Sequence, residues 1–217
     1  MTDSIGVIPA DVGASAARWL LGWASAIVAG AGICAVYLAM GRILRRGTSI
    51  AMNFLRAIPI LAIAPLVLAY AGPDEPSKVF IIFWACLFPI LLRALGEVEA
   101  VEEDEKLFIS GLGVTSSRRR WLMYSRRLLL GVLHGGYIAI GVGWISVVAA
   151  EYLGIYSDAL LNGGMGYRID LYYKESDWAG LWLYVLLFGA VGFSTALLYR
   201  FAVGTLLRGA GIRRVLD

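Results

Sequence analysis

Histidine is almost missing: His134 stands alone in 217 residues. That scarcity removes the His-rich metal site and leaves a Ser-His-Asp triad almost no material. The two cysteines, Cys34 and Cys86, lie in apolar stretches without CxxC spacing, which argues against a disulfide framework or a thiolate metal site. Lysine is scarce as well. None of Lys78, Lys106 and Lys174 follows a glycine, so the chain has no GxxxxGK[ST] phosphate loop, and any ATP hydrolysis falls to a partner. GxSxG, HExxH and GxGxxG are also absent, so no enzyme signature remains.

Charge is the most telling shortage. Charged residues make up 16% of the chain and apolar residues 59%. A soluble domain carries ~25% and ~45–50% respectively. The excess apolar surface must face something other than water, and the sequence predicts an all-α membrane protein.

A bilayer core of ~30 Å needs ~20 mostly apolar helical residues. Three stretches meet this without a charge, Trp19 to Gly41, Leu128 to Ala150 and Trp178 to Tyr199. Two more are interrupted: Ala57 to Pro73 is long enough only with Ile50 to Arg56 attached, and Val79 to Leu92 only if Arg93 and Gly96 extend it. Five spans are expected, at about 17–41, 50–72, 78–96, 128–150 and 178–200, in one transmembrane domain. The stretch ahead of the first span, with Asp3, Asp11 and Arg18, lacks the basic n-region of a secretory signal, so that span is expected to be retained.

The net charge of +3 matters less than its distribution, which is that of a membrane protein and not of a nucleic-acid binder. Fifteen of the nineteen cations fall on one side: Arg42, Arg45, Arg46, Arg56, Arg93, Lys106, Arg118, Arg119, Arg120, Arg126, Arg127, Arg200, Arg208, Arg213 and Arg214. Arg18, Lys78, Arg168 and Lys174 fall on the other. The positive-inside rule places the N-terminus outside and residues 97–127 in the cytoplasm, with an external segment over 151–177.

Residues 97–105 hold six acids (Glu97, Glu99, Glu102, Glu103, Asp104, Glu105), and the basic group Arg118, Arg119, Arg120, Arg126 and Arg127 follows. Between them Leu107, Phe108, Ile109 and Leu112 are apolar with no lipid to face, and Gly111 and Gly113 permit a sharp turn. This suits either two helix extensions whose charges offset one another or a docking helix for a groove in a cytoplasmic partner. Outside, AsnGlyGlyMetGlyTyr at 162–167 is rich in turn residues and flanked by aromatics that suit an interfacial belt.

Four stretches resemble the nitrate/sulfonate/taurine/bicarbonate branch of type I, binding-protein-dependent ABC importer permeases. They are ArgAlaIleProIleLeuAlaIleAlaProLeuValLeuAlaTyrAlaGly (56–72), SerLysValPheIleIlePheTrpAlaCysLeuPheProIleLeuLeu (77–92), TrpIleSerValValAlaAlaGluTyrLeuGly (144–154) with GlyMetGlyTyr (164–167), and the cytoplasmic segment. The last is degenerate against the family's Glu-Ala-Ala signature. With the glycine aligned on Gly113, Leu107, Phe108 and Ile109 stand where Glu-Ala-Ala belongs.

The resemblance implies a five-helix core that pairs with a second permease, identical or related, around a central path. An external solute-binding protein delivers the solute, and a cytoplasmic ABC ATPase dimer, carrying the ATP and magnesium, engages Leu107, Phe108, Ile109, Gly111, Leu112, Gly113, Arg118, Arg119 and Arg120. This chain itself is expected to bind no cofactor or metal, and the bacterial inner membrane is the implied location. Glu151, Arg56, Arg93, Gly164, Gly166 and Tyr167 are the candidates for path or gate. For Glu151 the alternative is a structural pairing with the external segment, and for the two arginines it is a snorkelled anchor. GlyValLeuHisGly (131–135) suits close helix packing. A competing possibility is a permease-derived structural or assembly subunit of another membrane complex; an intramembrane enzyme lacks the paired acids or nucleophile–base pair it needs.

Overall fold

The computed structural model describes residues 2–40, 42–72, 74–112, 117–153 and 163–209, and all regular structure among them is helical. The elements are α1 (Thr2–Ala39), α2 (Arg42–Ala57), α3 (Ile60–Ala71), α4 (Glu75–Leu112), α5 (Ser117–Leu153), α6 (Met165–Lys174) and α7 (Trp178–Gly209). Four stretches are long and apolar enough to cross a bilayer: Gly6–Ala39, Glu75–Val98, Tyr124–Tyr152 and Trp178–Thr205. The last three contain the expected spans 78–96, 128–150 and 178–200, and the first covers the expected 17–41 as far as residue 39, α1 beginning well before residue 17.

The expected second span, 50–72, is not one straight helix. Ile43–Ala57 and Ala62–Ala71 meet at 91°. Pro59 explains the break: it has no N–H to donate, and its ring drives Ile58 out of the helical region. Pro59 itself is extended, with φ −62° and ψ 132°. α3 has 12 residues, about 18 Å of helix at 1.5 Å per residue. It packs Ala64 against Ile81 of α4 and Ala150 of α5. The chain leaves it through Gly72, whose φ of 83° lies in the left-handed region that favours glycine.

The expected cytoplasmic segment is largely helical extension: α4 runs on to Leu112 and α5 starts at Ser117. Side chains from 101 to 123 lie outside the described residues, as does Gly113 entirely. The expected external segment contains α6.

Small residues let the helices close on one another. A Cβ added to Gly135 of α5 would lie 2.6 Å from the Cα of Ile90, and one on Gly131 would lie 2.6 Å from the Cα of Ala94. The GlyValLeuHisGly stretch is thus the place where the α4 and α5 backbones meet. Tryptophans then weld α1 to α5 and α7. Trp19 stacks on Trp23 at 5.5 Å and on Trp144 at 5.3 Å, and Trp144 meets Phe188 edge-on at 5.3 Å. Their polar edges are satisfied, with Trp23 donating to Gly136 O at 2.9 Å and Trp144 to Thr195 Oγ1 at 2.9 Å. α7 closes the bundle and turns Trp182, Leu186, Phe193 and Phe201 outward, a face suited to lipid.

Candidate functional site

Where α1, α4 and α7 begin and α5 ends, the bundle buries a cluster of charges. Asp11, Ser15 and Arg18 recur at i, i+4 and i+7, which puts all three on one face of α1. All three are buried. A charged group in such a place must be paired and hydrogen-bonded.

Arg18 is the hub. Its Nη1 donates to Glu151 Oε1 at 2.7 Å and to the carbonyl of Gly163 at 2.5 Å. Its Nε and Nη2 hold Glu75 at 2.6 Å each, a bidentate pair. Lys78, one turn along α4, adds Nζ to Glu75 Oε1 at 3.2 Å. The Arg18 and Glu151 side chains are 7% and 1% exposed, whereas Glu75 is 43% exposed.

Glu151 binds the start of α6. Its Oε2 accepts from Gly166 N at 2.7 Å, and Ser15 Oγ donates to both of its oxygens at 2.8 and 3.0 Å. Ser15 Oγ in turn accepts from Met165 N at 2.8 Å. The carboxylate therefore occupies the positive end of α6, where unpaired N–H groups favour an anion. The two glycines of GlyMetGlyTyr make room for it. A Cβ on Gly164 would fall 2.5 Å from Glu151 Oε1, with φ at 138°, and one on Gly166 would fall 3.0 Å from the Glu151 side chain.

Asp11 makes a second clasp one turn away. It accepts from Gly164 N at 3.2 Å, Arg168 Nε at 2.9 Å and Tyr184 Oη at 2.8 Å. Partial desolvation works against the Arg168 cation, but the hydrogen bond to Asp11 and its negative charge outweigh that and raise the Arg168 pKa above its ordinary value.

The six path and gate candidates are thus divided. Glu151, Gly164 and Gly166 come together, and Tyr167 is half-buried in the first turn of α6 beside them. In this arrangement the Glu151 carboxylate is taken up by protein donors and ties the start of α6 to α1. Arg93 lies ~27 Å along α4 from Glu75, by 18 residues at 1.5 Å. It is 3.7 Å from Glu97, which also pairs with Arg127 at 3.5 Å. Arg56 is exposed in the last turn of α2. The coupling candidates Leu107, Phe108, Ile109, Gly111, Leu112, Arg118, Arg119 and Arg120 sit on the extensions of α4 and α5, with their side chains outside the described residues.

A cavity of about 590 Å³ lies between α3 and the start of α4, lined by Leu66, Val67, Tyr70, Asp74, Ser77 and Phe80 among others. It is mostly apolar and brings no set of polar groups together. Among the described residues, no three His, Cys, Asp or Glu side chains converge as a metal set.

Sequence reasoning singled out Glu151 and the glycines but not Asp11, Ser15, Arg18, Glu75, Arg168 or Tyr184. The signal for the first three was their spacing on a helix that begins earlier than the apolar run.

Residues 26–205 match the family described as "Binding-protein-dependent transport system inner membrane component". The chain is 33% identical over 98 residues to the taurine transport system permease protein of Escherichia coli (strain K12), covering 45% of this chain and 36% of that protein. It is 28% identical over 142 residues to the bicarbonate transport system permease protein of Synechococcus elongatus, covering 64% and 49%. It is 25% identical over 189 residues to the nitrate import permease protein of Leptolyngbya laminosa, covering 84% and 63%. The chain thus spans between about a third and two-thirds of the length of these relatives.

Proposed function

The chain belongs to the family of binding-protein-dependent transport system inner membrane components, and from that premise we propose that it is a permease subunit of an ATP-driven importer for a small anion or organic oxyanion. The observation that carries this is the family match over most of the chain, together with relatives named for taurine, bicarbonate and nitrate. These solutes share an oxygen-bearing acidic group. Such names favour import over the structural-subunit alternative.

In this proposal the chain lines a path with a second permease, identical or related, in a bacterial inner membrane. An external binding protein delivers the solute, and the segment over 97–127 transmits the closure of a cytoplasmic ATPase dimer. ATP hydrolysis, with its magnesium, belongs to that partner, since the chain has no phosphate loop of its own. The N-terminus lies outside, as the cation count directs.

Within that scheme the Arg18–Glu151 cluster is a clamp and not a solute site. It ties α1, α4, α5 and α6 into one body at the outer end, and rocking between two access states needs bodies that move as units. The test is intact-mass analysis of the complex purified in mild detergent through a tag on this chain. An ATPase dimer and a second permease in near-stoichiometric amounts are expected. A complex without an ATPase would overturn the proposal.

A further inference from the structure

α2 combines three properties that no other element shares. First, it carries Arg42, Arg45, Arg46 and Arg56 and no acid. Second, three of its apolar residues, Ile43, Ile50 and Phe54, fall on one face, since positions i, i+7 and i+11 lie within about 40° of one another at 100° per residue, while Met52 on the opposite side is buried in the bundle core. Ile43, Ile50 and Phe54 are exposed, at 91%, 71% and 68%. Third, α2 begins at the end of a membrane span and meets α3 at 91°. Its first turn is fastened there. Arg45 donates from Nε to the carbonyls of Tyr37 and Met40 at 3.0 Å each and from Nη2 to that of Leu38 at 2.5 Å, closing the free C-terminal end of α1.

The arginines then decide how α2 runs. Arg42 and Arg56 are separated by ~21 Å along the helix, 14 residues at 1.5 Å. If α2 rose from the end of α1 along the membrane normal, Arg56 would be carried deep into hydrocarbon, where a cation is costly. If it runs in the membrane plane, both ends stay at headgroup level. Ile43, Ile50 and Phe54 then enter the acyl region, and the right-angle break at Ile58–Pro59 turns α3 back into the membrane.

We propose that α2 is an in-plane interfacial helix that binds anionic phospholipid, with Ile43, Ile50 and Phe54 in the acyl layer and Arg42, Arg46 and Arg56 on the headgroups, Arg45 being held on the end of α1. The occupant follows from charge: four cations and no acid on a half-apolar helix match an anionic lipid surface. This holds whether or not the chain is an importer subunit.

The test is spin labelling of the full chain in nanodiscs of phosphatidylcholine and phosphatidylglycerol at 3:1. Labels go one at a time on Ile50→Cys, Phe54→Cys, Ser49→Cys and Asn53→Cys, in a Cys34→Ala/Cys86→Ala background. Expected are oxygen-accessible, nickel-chelate-protected labels at 50 and 54 and the reverse at 49 and 53. Labels at 50 and 54 shielded from both reagents would mean that a protein partner covers this face, and uniform burial at all four would mean that α2 spans; either result overturns the proposal. The headgroup half is read by native mass spectrometry from mixed micelles of the same two lipids. Arg46→Gln/Arg56→Gln should lower phosphatidylglycerol retention at least threefold, with an Arg118→Gln/Arg119→Gln control unchanged. Equal loss in both variants, or none in the first, overturns it.

Discussion

Arg18 on α1 and Glu151 on α5 stand 133 positions apart in the chain and meet at 2.7 Å in the interior, with the same guanidinium holding Glu75 by two further bonds of 2.6 Å. Removing one member of a buried pair strands the other. Arg18→Leu or Glu151→Leu is expected to destabilise the protein by about 3–5 kcal/mol, and the double replacement by clearly less than the sum. Glu75 keeps access to water, so Glu75→Gln should cost about 1 kcal/mol or less. Denaturation in detergent, followed by tryptophan fluorescence, ranks the four variants. Equal effects for Glu75 and Glu151 would remove Arg18 from the centre of the cluster.

The glycines around that carboxylate differ in what they tolerate. Gly164 has φ 138° and no room beside Glu151, whereas a Cβ on Gly163 meets only Asp11 Oδ1 at 3.8 Å. Gly164→Ala is therefore expected to lower the melting temperature by several degrees, while Gly163→Ala stays close to wild type. Similar melting temperatures for the two would mean that the turn does not need its left-handed residue.

Much of the architecture was legible because hydrophobic run length reports directly on bilayer thickness. Four of the five expected spans lie in long helices, and the small-residue stretch at 131–135 sits where two backbones touch. The second span reads as one apolar run on paper, whereas Pro59 breaks it into two helices that meet at 91°. At the site, Glu151 and the glycines stood out as a motif local in sequence. Asp11, Ser15 and Arg18 did not, since they precede the apolar run and their partners lie on four other helices. Only the fold shows that their common face is turned inward.

Asp11 offers a graded series. Its three donors are Gly164 N, the Arg168 guanidinium and the Tyr184 hydroxyl. Tyr184→Phe deletes one neutral donor and should cost about 0.5–1.5 kcal/mol. Asp11→Leu strands all three and should cost about twice that or more. A double-mutant cycle on Tyr184→Phe and Asp11→Leu should show coupling, because the first change loses its effect once the acceptor is gone. Strict additivity would show that the Tyr184 hydroxyl gains nothing from Asp11.

Close backbone approach predicts where α5 rejects a methyl group. At Gly135 a Cβ would press on Ile90 Cα and on the Pro89 carbonyl at 2.9 Å, and both atoms belong to a rigid helix. Gly135→Ala should cost about 1–3 kcal/mol by overpacking. Gly141, two turns on, has nothing within 4 Å of an added Cβ. Gly141→Ala should be neutral or stabilising by up to about 1 kcal/mol, since alanine favours helix. Melting curves of the two variants in one detergent test the contrast, which vanishes if α4 and α5 separate more easily than their contacts indicate.

The sidedness of the molecule gives a prediction about orientation. Arg18, Lys78, Arg168 and Lys174, the four cations set apart by the span count, each pair with an acid: Glu75 holds the first two, Asp11 the third and Asp170 the fourth. Arg126 and Arg127 lie at the far end of α5 from Glu151, on the side to which the reading of the sequence assigns fifteen of the nineteen cations. With cations that unevenly spread, the positive-inside rule directs Arg126 to the cytoplasm and α6 outward. Glu175→Cys and Arg126→Cys, both at exposed positions, report on the two sides, and the native Cys34 and Cys86 are buried and give little background. An impermeant maleimide added to intact spheroplasts should label Glu175→Cys promptly and Arg126→Cys only after lysis. The opposite pattern would place the Arg18–Glu151 cluster at the cytoplasmic face and residues 97–127 outside, and would overturn the proposed engagement of that segment by a cytoplasmic ATPase.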